Sequence, residues 1–371
     1  MPNNNIATDP LIGQQLANFR LEHVIGRGGM AIVYYGIDVK LNRPVAVKVI
    51  DARYRNDPAY AERFIRESQV VATWRHPNVL QVYYADDENE LYYFVMEYID
   101  GLDLRQLIDM YLDEGQLMPI EDVLRIGRAV AEALDYAHAR GVVHRDIKPS
   151  NVMVSYDGRV LLTDFGLALQ ITEGSMGEVF GTPHYMAPEQ AKRSADAVAA
   201  SDLYSLGVLL FEMLTGAVPF DDSSPTSVAL AHITQPPPSP RSINPELNQV
   251  TEDLLLKALE KQPADRYQSG RDLIDALQKA LEEGAEEFES DALPPLPATV
   301  QRTPTGASIP TVSDVTVAER LSLQLATRAE IPTLLNDPNA ADSGTSLSAW
   351  LRNPYFIGAA VALLVLIAVA G

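Results

Sequence analysis

The segment 144–151, with the sequence HRDIKPSN, constrains this chain more than any other part of it. It brings an acid, a lysine two residues later and an asparagine five residues later into one loop, as Asp146, Lys148 and Asn151. Such side chains can serve as a general base, a cation that clamps phosphate and a ligand for a metal ion. The pattern therefore indicates a catalytic loop rather than a structural turn.

A second acidic motif follows 18 residues after Asp146, as Asp164-Phe165-Gly166. It comes directly after the apolar run 160–163, which reads as a strand. A carboxylate at a strand end, followed by glycine, can hold Mg²⁺ beside a triphosphate. The tripeptide is common by itself, so its distance from Asp146 is what gives it weight.

Two upstream motifs point to phosphate binding. The run 26–33, GRGGMAIV, is a glycine-rich turn between predicted strands, where backbone N–H groups can approach phosphates closely. A strand follows it instead of a helix, which separates it from the dinucleotide fingerprint and leaves a plain β-hairpin as the alternative. Lys48 lies in an apolar strand, and Glu67 on the next predicted helix is its natural counter-charge. An exposed i,i+4 pair is the alternative for Glu67.

The hydrophobic periodicity predicts an α+β fold in which a small β-rich lobe precedes a larger helical lobe. The apolar run 204–215 must be buried. The predicted strands are 19–25, 32–38, 44–50, 80–85 and 91–98, and the predicted helices are 58–74 and 123–140.

The order of these motifs, ending with Ala187-Pro188-Glu189, resembles the signature of the eukaryotic-type (Hanks-type) serine/threonine protein kinases, and their bacterial membrane-anchored subgroup in particular. The resemblance covers residues 19–281. It implies a bilobal protein kinase fold with one long helix in the N-lobe. It also implies transfer of the γ-phosphate of ATP to Ser/Thr hydroxyls of proteins, with Mg²⁺ as cofactor and Mn²⁺ as a substitute.

The resemblance also implies a role for each matching residue. Asp146 is the catalytic base, Lys148 contacts the γ-phosphate, and Lys48 orients the α- and β-phosphates while pairing with Glu67. Magnesium is held by Asn151 and Asp164. The expected nucleotide contacts are Ile25, Gly26, Arg27, Gly28, Gly29, Met30, Ala31, Ile32, Val33, Ala46, Lys48, Glu67, Met96, Glu97, Ile99, Asp103 and Met153.

Within that set, the resemblance implies that Met96 is the gatekeeper and that Asp103 forms a hydrogen bond with the ribose of the nucleotide. Adenine is expected to lie between Val33, Ala46 and Met153, with hydrogen bonds to the backbone of Glu97 and Ile99. Ala31 departs from the family pattern because it replaces the third glycine of the loop. We expect retained activity with altered nucleotide affinity.

In the larger lobe, the resemblance implies a buried Glu189–Arg266 ion pair and a brace for the catalytic loop at Asp202. A hydrophobic spine is expected from Val71, Val82, His144 and Phe165. Arg145 would pair with a phosphorylated activation loop at Thr172 or Ser175, and Thr182 would lie near Asp146.

Outside the predicted kinase domain at 19–281, the chain divides into an extension at 1–18, an acidic linker rich in Pro and Thr at 282–353, and an apolar segment at 354–371. The run 355–370 carries no charge and would span about 24 Å as a helix, slightly short of a bilayer core of about 30 Å. We expect a single-pass membrane protein with a cytoplasmic kinase domain; a buried core helix is the alternative.

The amino-acid composition limits which classes of molecule this chain is expected to bind. A net charge of −21 disfavours general binding to nucleic acid, and the lack of cysteine excludes disulfides and thiolate chemistry. We expect protein substrates, a second copy in trans as a homodimer, and phosphothreonine-reading domains that recognise Thr311 in the linker, for which an inert spacer is the alternative. A pseudokinase and a small-molecule kinase are the competing functions.

Overall fold

The computed structural model describes residues 9–28, 31–51, 65, 68–88, 90–165 and 183–290. The chain forms two compact units, 1–318 and 319–371, and the second lies wholly outside the described residues. The predicted membrane segment at 354–371 therefore lies outside them too, as does the linker beyond residue 290. Among the helices that are described, none combines the length and the apolar character needed to cross a bilayer.

The first lobe is built on an antiparallel sheet with the strand order β1-β2-β3-β4-β6-β5. The predicted strands are confirmed, with ends that shift by a few residues. Leu80 precedes β5 because its N–H donates to the carbonyl of Leu162 in the other lobe. The strands are β1 (Gln15–Leu16), β2 (Phe19–Arg27), β3 (Ala31–Asp38), β4 (Arg43–Ile50), β5 (Val82–Glu88) and β6 (Leu91–Glu97).

The two faces of this sheet differ in what they contact. Because side chains alternate along a strand, Val45, Val47 and Val49 share one face of β4, and Ala46 and Lys48 share the other. The three valines pack into a buried cluster, which we call the outer cluster. Its members are Leu11, Leu16, Phe19, Leu21, Tyr34, Val45, Val47, Val49, Leu91, Tyr93 and Val95.

The opposite face carries four of the predicted nucleotide contacts, whereas Ile32, also predicted to contact the nucleotide, packs against the outer cluster. Val33 is directly opposite Lys48 in the β3–β4 pair, and Ala46 is directly opposite Met96 in the β4–β6 pair. Cross-strand neighbours project to the same side of a sheet, so these four side chains share one face. Of the predicted helix at 58–74, the described residues 65 and 68–72 are helical.

The second lobe combines a small sheet with helices. Helix α2 begins three residues before the predicted helix and ends two residues earlier, and the predicted burial of 204–215 is confirmed within α4. The elements are β7 (Gly101–Asp103), β8 (Val152–Ser155) and β9 (Val160–Leu162), with α1 (Leu104–Asp113), α2 (Ile120–His138), α3 (Pro188–Lys192), α4 (Ala199–Thr215), α5 (Pro225–Thr234), α6 (Gln249–Ala258) and α7 (Gly270–Ser290).

Helix α7, the last one in the part of the chain that the structure describes, extends beyond the predicted end of the domain. Helix α7 continues to Ser290, through a part of the chain assigned to the linker from its acidic composition. Its residues 282–290, EEGAEEFES, are mostly Glu and Ala, which favour helix, and the first proline comes only at Pro294.

Candidate active site

The catalytic loop brings its three predicted residues together. The Nζ of Lys148 lies 2.8 Å from Oδ2 of Asp146, and the side-chain amide of Asn151 donates to the same oxygen at 3.0 Å. Asn151 also donates to the backbone carbonyl of Asp146 at 2.7 Å. One carboxylate oxygen of Asp146, Oδ2, is therefore held by a cation and an amide, while Oδ1 has no hydrogen-bond partner among the residues that the structure describes.

A buried carboxylate supports the loop from below. Asp202, 1% exposed, accepts hydrogen bonds from the backbone N–H groups of His144 and Arg145, each at 2.7 Å. The Nε2 of His138 lies 2.7 Å from Asp202 as well. Arg145 has φ of 69°, a conformation that costs energy for a residue with a side chain. The predicted bracing role of Asp202 is confirmed, and its hydrogen bonds stabilise this strained backbone.

His144 connects the catalytic loop to the strand that precedes Asp164. Its Nδ1 accepts from the N–H of Asp146 at 3.2 Å, so its Nε2 carries the hydrogen and donates to the carbonyl of Thr163 at 2.8 Å. The N–H of Thr163 in turn donates to the carbonyl of Asn151 at 2.9 Å. These bonds fix Asp164 beside the catalytic loop.

Lys48 forms an ion pair with Asp164, with Nζ 2.6 Å from Oδ1. Burial opposes ionisation of the Asp164 carboxyl, but the charge and the hydrogen bond of Lys48 hold the pKa of Asp164 below its usual range. Asp164 is therefore an anion at neutral pH. Glu67, the predicted partner of Lys48, lies outside the described residues.

The donor set near Asp164 fits a magnesium ion. Mg²⁺ prefers a few protein oxygens and completes its shell with water and substrate phosphates. Asn151 uses its amide nitrogen toward Asp146, so its Oδ1 would be the atom that binds the metal, together with the carboxylate of Asp164. The roles of these two side chains as metal ligands remain predictions.

The predicted nucleotide contacts fall on both lobes. Met153 in β8 is opposite Asp103 in β7, in the second lobe, whereas Val33, Ala46 and Met96 lie in the first. The side chain of Asp103 caps helix α1 by accepting from the N–H of Gln106 at 2.9 Å, a structural role that the sequence analysis did not foresee. Gly29 and Met30, at the loop tip, lie outside the described residues.

The segment between the lobes is fixed by two contacts at Glu97. Its backbone N–H donates to the carbonyl of Gln81 at 2.9 Å, and its side chain forms a 2.8 Å ion pair with Arg159 on the β8–β9 hairpin. The Arg159 contact was missed because the two residues are 62 positions apart in sequence.

The predicted spine residues are all buried, and two of them are in direct ring contact. The rings of His144 and Phe165 lie 4.7 Å apart, and Val71 and Val82 line a small cavity together with Phe165. Trp74, which the sequence analysis missed, packs edge-on against Phe165 at 5.3 Å.

A cleft of about 490 Å³ opens next to Lys148 and Ser150. Two of its lining residues form a tight pair, with Arg105 Nη2 2.5 Å from Glu212 Oε1, and the hydroxyl of Tyr185 donates to the other oxygen of Glu212 at 2.6 Å. Sequence analysis missed both contacts. The predicted phosphorylation sites Thr172 and Ser175, and also Thr182, lie outside the described residues.

Comparison with known proteins agrees with this fold. The family model of the protein kinase domain matches residues 19–279, so the chain belongs to the protein kinase family. Members of this family use ATP and Mg²⁺.

Several of its relatives are named as serine/threonine-protein kinases of bacteria. The serine/threonine-protein kinase PrkC of Bacillus subtilis is 38% identical over 73% of this chain and 42% of its own length. PknB of Mycobacterium leprae, also a serine/threonine-protein kinase, is 38% identical over 69% and 42%. The crystal structure of the Mycobacterium tuberculosis PknI kinase domain has a TM-score of 0.60 and 32% identity, covering 72% of this chain and 98% of that one. The chain thus spans about two fifths of the length of these curated relatives.

Proposed function

We propose that this chain is a serine/threonine protein kinase that transfers the γ-phosphate of ATP to a Ser or Thr hydroxyl of a protein. The observation that carries the proposal is the cluster of Asp146, Lys148 and Asn151, held by hydrogen bonds in one loop beside Asp164. A pseudokinase would not need a base, a phosphate-binding cation and two metal ligands in this arrangement.

Each residue of the cluster has its own role in the transfer of the phosphate. Asp146 orients the acceptor hydroxyl through Oδ1, the oxygen that Lys148 and Asn151 do not contact, and takes the proton as the new bond forms. Lys148 and Lys48 place positive charge where phosphate oxygens become more negative. Asn151 and Asp164 would hold the metal. Bound Mg²⁺ supplies the remaining neutralising charge on the phosphates.

The acceptor class follows from the same loop. A lysine two residues after the base is the pattern of kinases that act on Ser and Thr, and the relatives PrkC and PknB carry that activity in their names. Lys148 lies beside the cleft lined by Arg105 and Glu212, which has room for a segment of a protein substrate.

We also propose three finer properties. The chain phosphorylates a second copy of itself in trans, it is anchored by the apolar segment 354–371, and it presents phosphorylated linker threonines such as Thr311 to phosphothreonine-reading domains. Support comes from the sequence: residues 355–370 are uncharged, and Thr311 has an acidic residue, Asp314, three positions later. A kinase anchored in this way would act in membrane-linked signalling.

The test compares the purified full chain with Asp146→Asn, which keeps the shape of the side chain and removes its basicity. Each is incubated with Mg²⁺ and ATP labelled in the γ-phosphate, and modified residues are located by mass spectrometry. Label on Ser or Thr in the wild type alone supports the proposal. Nucleotide binding without transfer in the wild type would indicate a pseudokinase, and label on Tyr would contradict the acceptor class.

A further inference from the structure

The residues just before the kinase family match are part of the first lobe. Strand β1 pairs with β2, the N–H of Gly13 donates to the carbonyl of Leu21 at 2.7 Å, and the N–H of Leu21 donates to the carbonyl of Gln14 at 2.9 Å. Leu16, which is 1% exposed, belongs to the outer cluster. Residues 9–18, which we call the N-terminal strap, therefore cover the sheet face opposite Lys48.

The N-terminal strap begins at Asp9, whose carboxylate accepts hydrogen bonds from three donors. Oδ1 of Asp9 accepts from the hydroxyl of Tyr34 at 2.9 Å and from the N–H of Leu11 at 3.1 Å, while Oδ2 forms an ion pair with Arg27 at 2.8 Å. The Asp9 side chain is only 8% exposed. Burial opposes its ionisation, but these hydrogen bonds and the charge of Arg27 hold the pKa of Asp9 below its usual range. The Asp9 carboxylate is therefore an anion fixed to the sheet.

Arg27 connects this anion to the glycine-rich loop. It is the last residue of β2, and it is directly opposite Ile32, which packs against the outer cluster. Cross-strand partners share a face, so the Arg27 side chain leaves the sheet on the side away from Val33 and Lys48. The next residue, Gly28, closes the loop with a 2.9 Å hydrogen bond from its N–H to the carbonyl of Ala31.

We propose that Asp9 is a positioning residue for the glycine-rich loop, which it holds over the nucleotide through Arg27. This inference rests on the proposed kinase function. Asp9 touches no substrate. It acts because Tyr34 and Leu11 fix its position and its second oxygen fixes the guanidinium at the base of the loop. Without that bond, the loop populates conformations lifted from the nucleotide, and apparent affinity falls with the fraction that remains competent.

The substitution Asp9→Asn isolates this bond. Asparagine keeps the oxygen that accepts from Tyr34 and Leu11, and it puts an NH₂ group where Oδ2 binds Arg27. A matched control lies on the same strand: Arg20 and Glu22 form a 2.7 Å ion pair with both side chains exposed. Glu22→Gln removes a charge of the same sign without touching the loop.

The experiment uses the purified full chain as wild type, Asp9→Asn, Arg27→Met, the double variant and Glu22→Gln. We expect Asp9→Asn to raise the KM for ATP about fivefold with kcat unchanged within about twofold. We also expect faster amide exchange in residues 24–33 without nucleotide, and a double variant no worse than Arg27→Met alone. Glu22→Gln should match the wild type in every measurement.

Two outcomes would overturn the inference. One is an Asp9→Asn variant whose KM and loop exchange equal those of Glu22→Gln; the other is strictly additive effects in the double variant. Amide exchange requires no phosphate transfer, so it tests the tether even if the wild type proved inactive, and wild-type inactivity alone would contradict only the proposed function. Far-UV circular dichroism confirms that each variant is folded.

Discussion

At the scale of single residues, the site depends on a few carboxylates whose surroundings determine what they do. Asp146 has one oxygen held by Lys148 and Asn151, Asp164 pairs with Lys48, and Asp202 is buried with three donors around it. The same chemical group is thus proposed to serve as a base at Asp146 and as a metal ligand at Asp164, while at Asp202 it supports the backbone, and burial and partners make the difference.

Asp202→Asn tests the backbone support. The amide would direct an NH₂ group at one of the two backbone N–H donors of His144 and Arg145, so one hydrogen bond to a charged acceptor becomes a repulsion. We expect a loss of about 2 kcal/mol in the free energy of unfolding and a turnover lowered by more than about tenfold. Urea denaturation and steady-state kinetics measure the two effects. Equal turnover in both proteins would show that Arg145 does not need the support.

Lys48→Met tests the phosphate contact. Methionine retains most of the apolar side-chain volume and removes the charge 2.6 Å from Asp164. We expect turnover to fall about 100-fold or more, while the melting temperature stays close to that of the wild type. Single-turnover kinetics with excess enzyme measure the chemical step. Turnover like that of the wild type in a folded Lys48→Met protein would contradict the role.

The sequence predicted the site residues that lie within one short motif, since spacing alone brings Asp146, Lys148 and Asn151 into one loop. It could not predict contacts between distant positions. Two ion pairs have partners that meet only after the lobes fold: Glu97 with Arg159, and Arg105 with Glu212. Nothing local marks such residues, since a lone charge in a helix or hairpin usually faces solvent.

At the scale of elements, the second lobe depends on close helix packing. A Cβ added to Gly207 in α4 would lie 2.9 Å from the Cβ of Ala258 in α6, nearer than carbon atoms normally approach. Glycine at this position therefore lets the two helices meet, and its low helix propensity is the cost of that approach.

Gly207→Ala should push α4 and α6 apart. We expect it to lower the free energy of unfolding by about 1–3 kcal/mol through overpacking. The double variant Gly207→Ala/Ala258→Gly moves the methyl group from one helix to the other, so it should be more stable than the sum of the two single changes predicts. Chemical denaturation of the four proteins gives the coupling. Additive losses would show that the helices adjust freely.

Alternation and amphipathic spacing predicted most strands and helices, because each pattern reports which face of an element is buried. These two patterns did not predict the elements at the two ends of the kinase domain. Strand β1 has only two residues and cannot show a period, and the acidic end of α7 lacks the apolar spacing of a packed helix. In both places tertiary pairing or intrinsic helix propensity, rather than pattern, determines the structure.

At the scale of the whole molecule, one buried histidine couples stability to pH. His232 is fully buried, its Nδ1 lies 2.8 Å from the hydroxyl of Tyr204, and its ring packs on Phe220. Burial, with a further contribution from the charge of Lys261, lowers the pKa of His232 to about 3. The folded protein therefore keeps this imidazole neutral under conditions where the unfolded chain protonates it.

Proton uptake by His232 in the unfolded state determines whether a lower pH stabilises or destabilises the fold. Between pH 6.5 and about 3 the unfolded state binds the extra proton, so stability falls as pH falls. From pH 6.5 to 5 we expect His232 to lower the free energy of unfolding by about 2 kcal/mol. His232→Asn keeps a polar atom for Tyr204 and should remove that part of the slope. Urea denaturation across this range gives the difference, and parallel slopes in the two proteins would contradict the prediction.

The edge-on contact between Trp74 and Phe165 also gives the chain an optical reporter. Tryptophan emission responds to the polarity and the rings around the indole, and this indole lies against the phenylalanine that follows Asp164. The chain has only one other tryptophan, Trp350. Replacing it by phenylalanine would leave Trp74 as the single tryptophan, in contact with the residue that follows Asp164. Rearrangements at that position could then be followed in real time without attaching a dye.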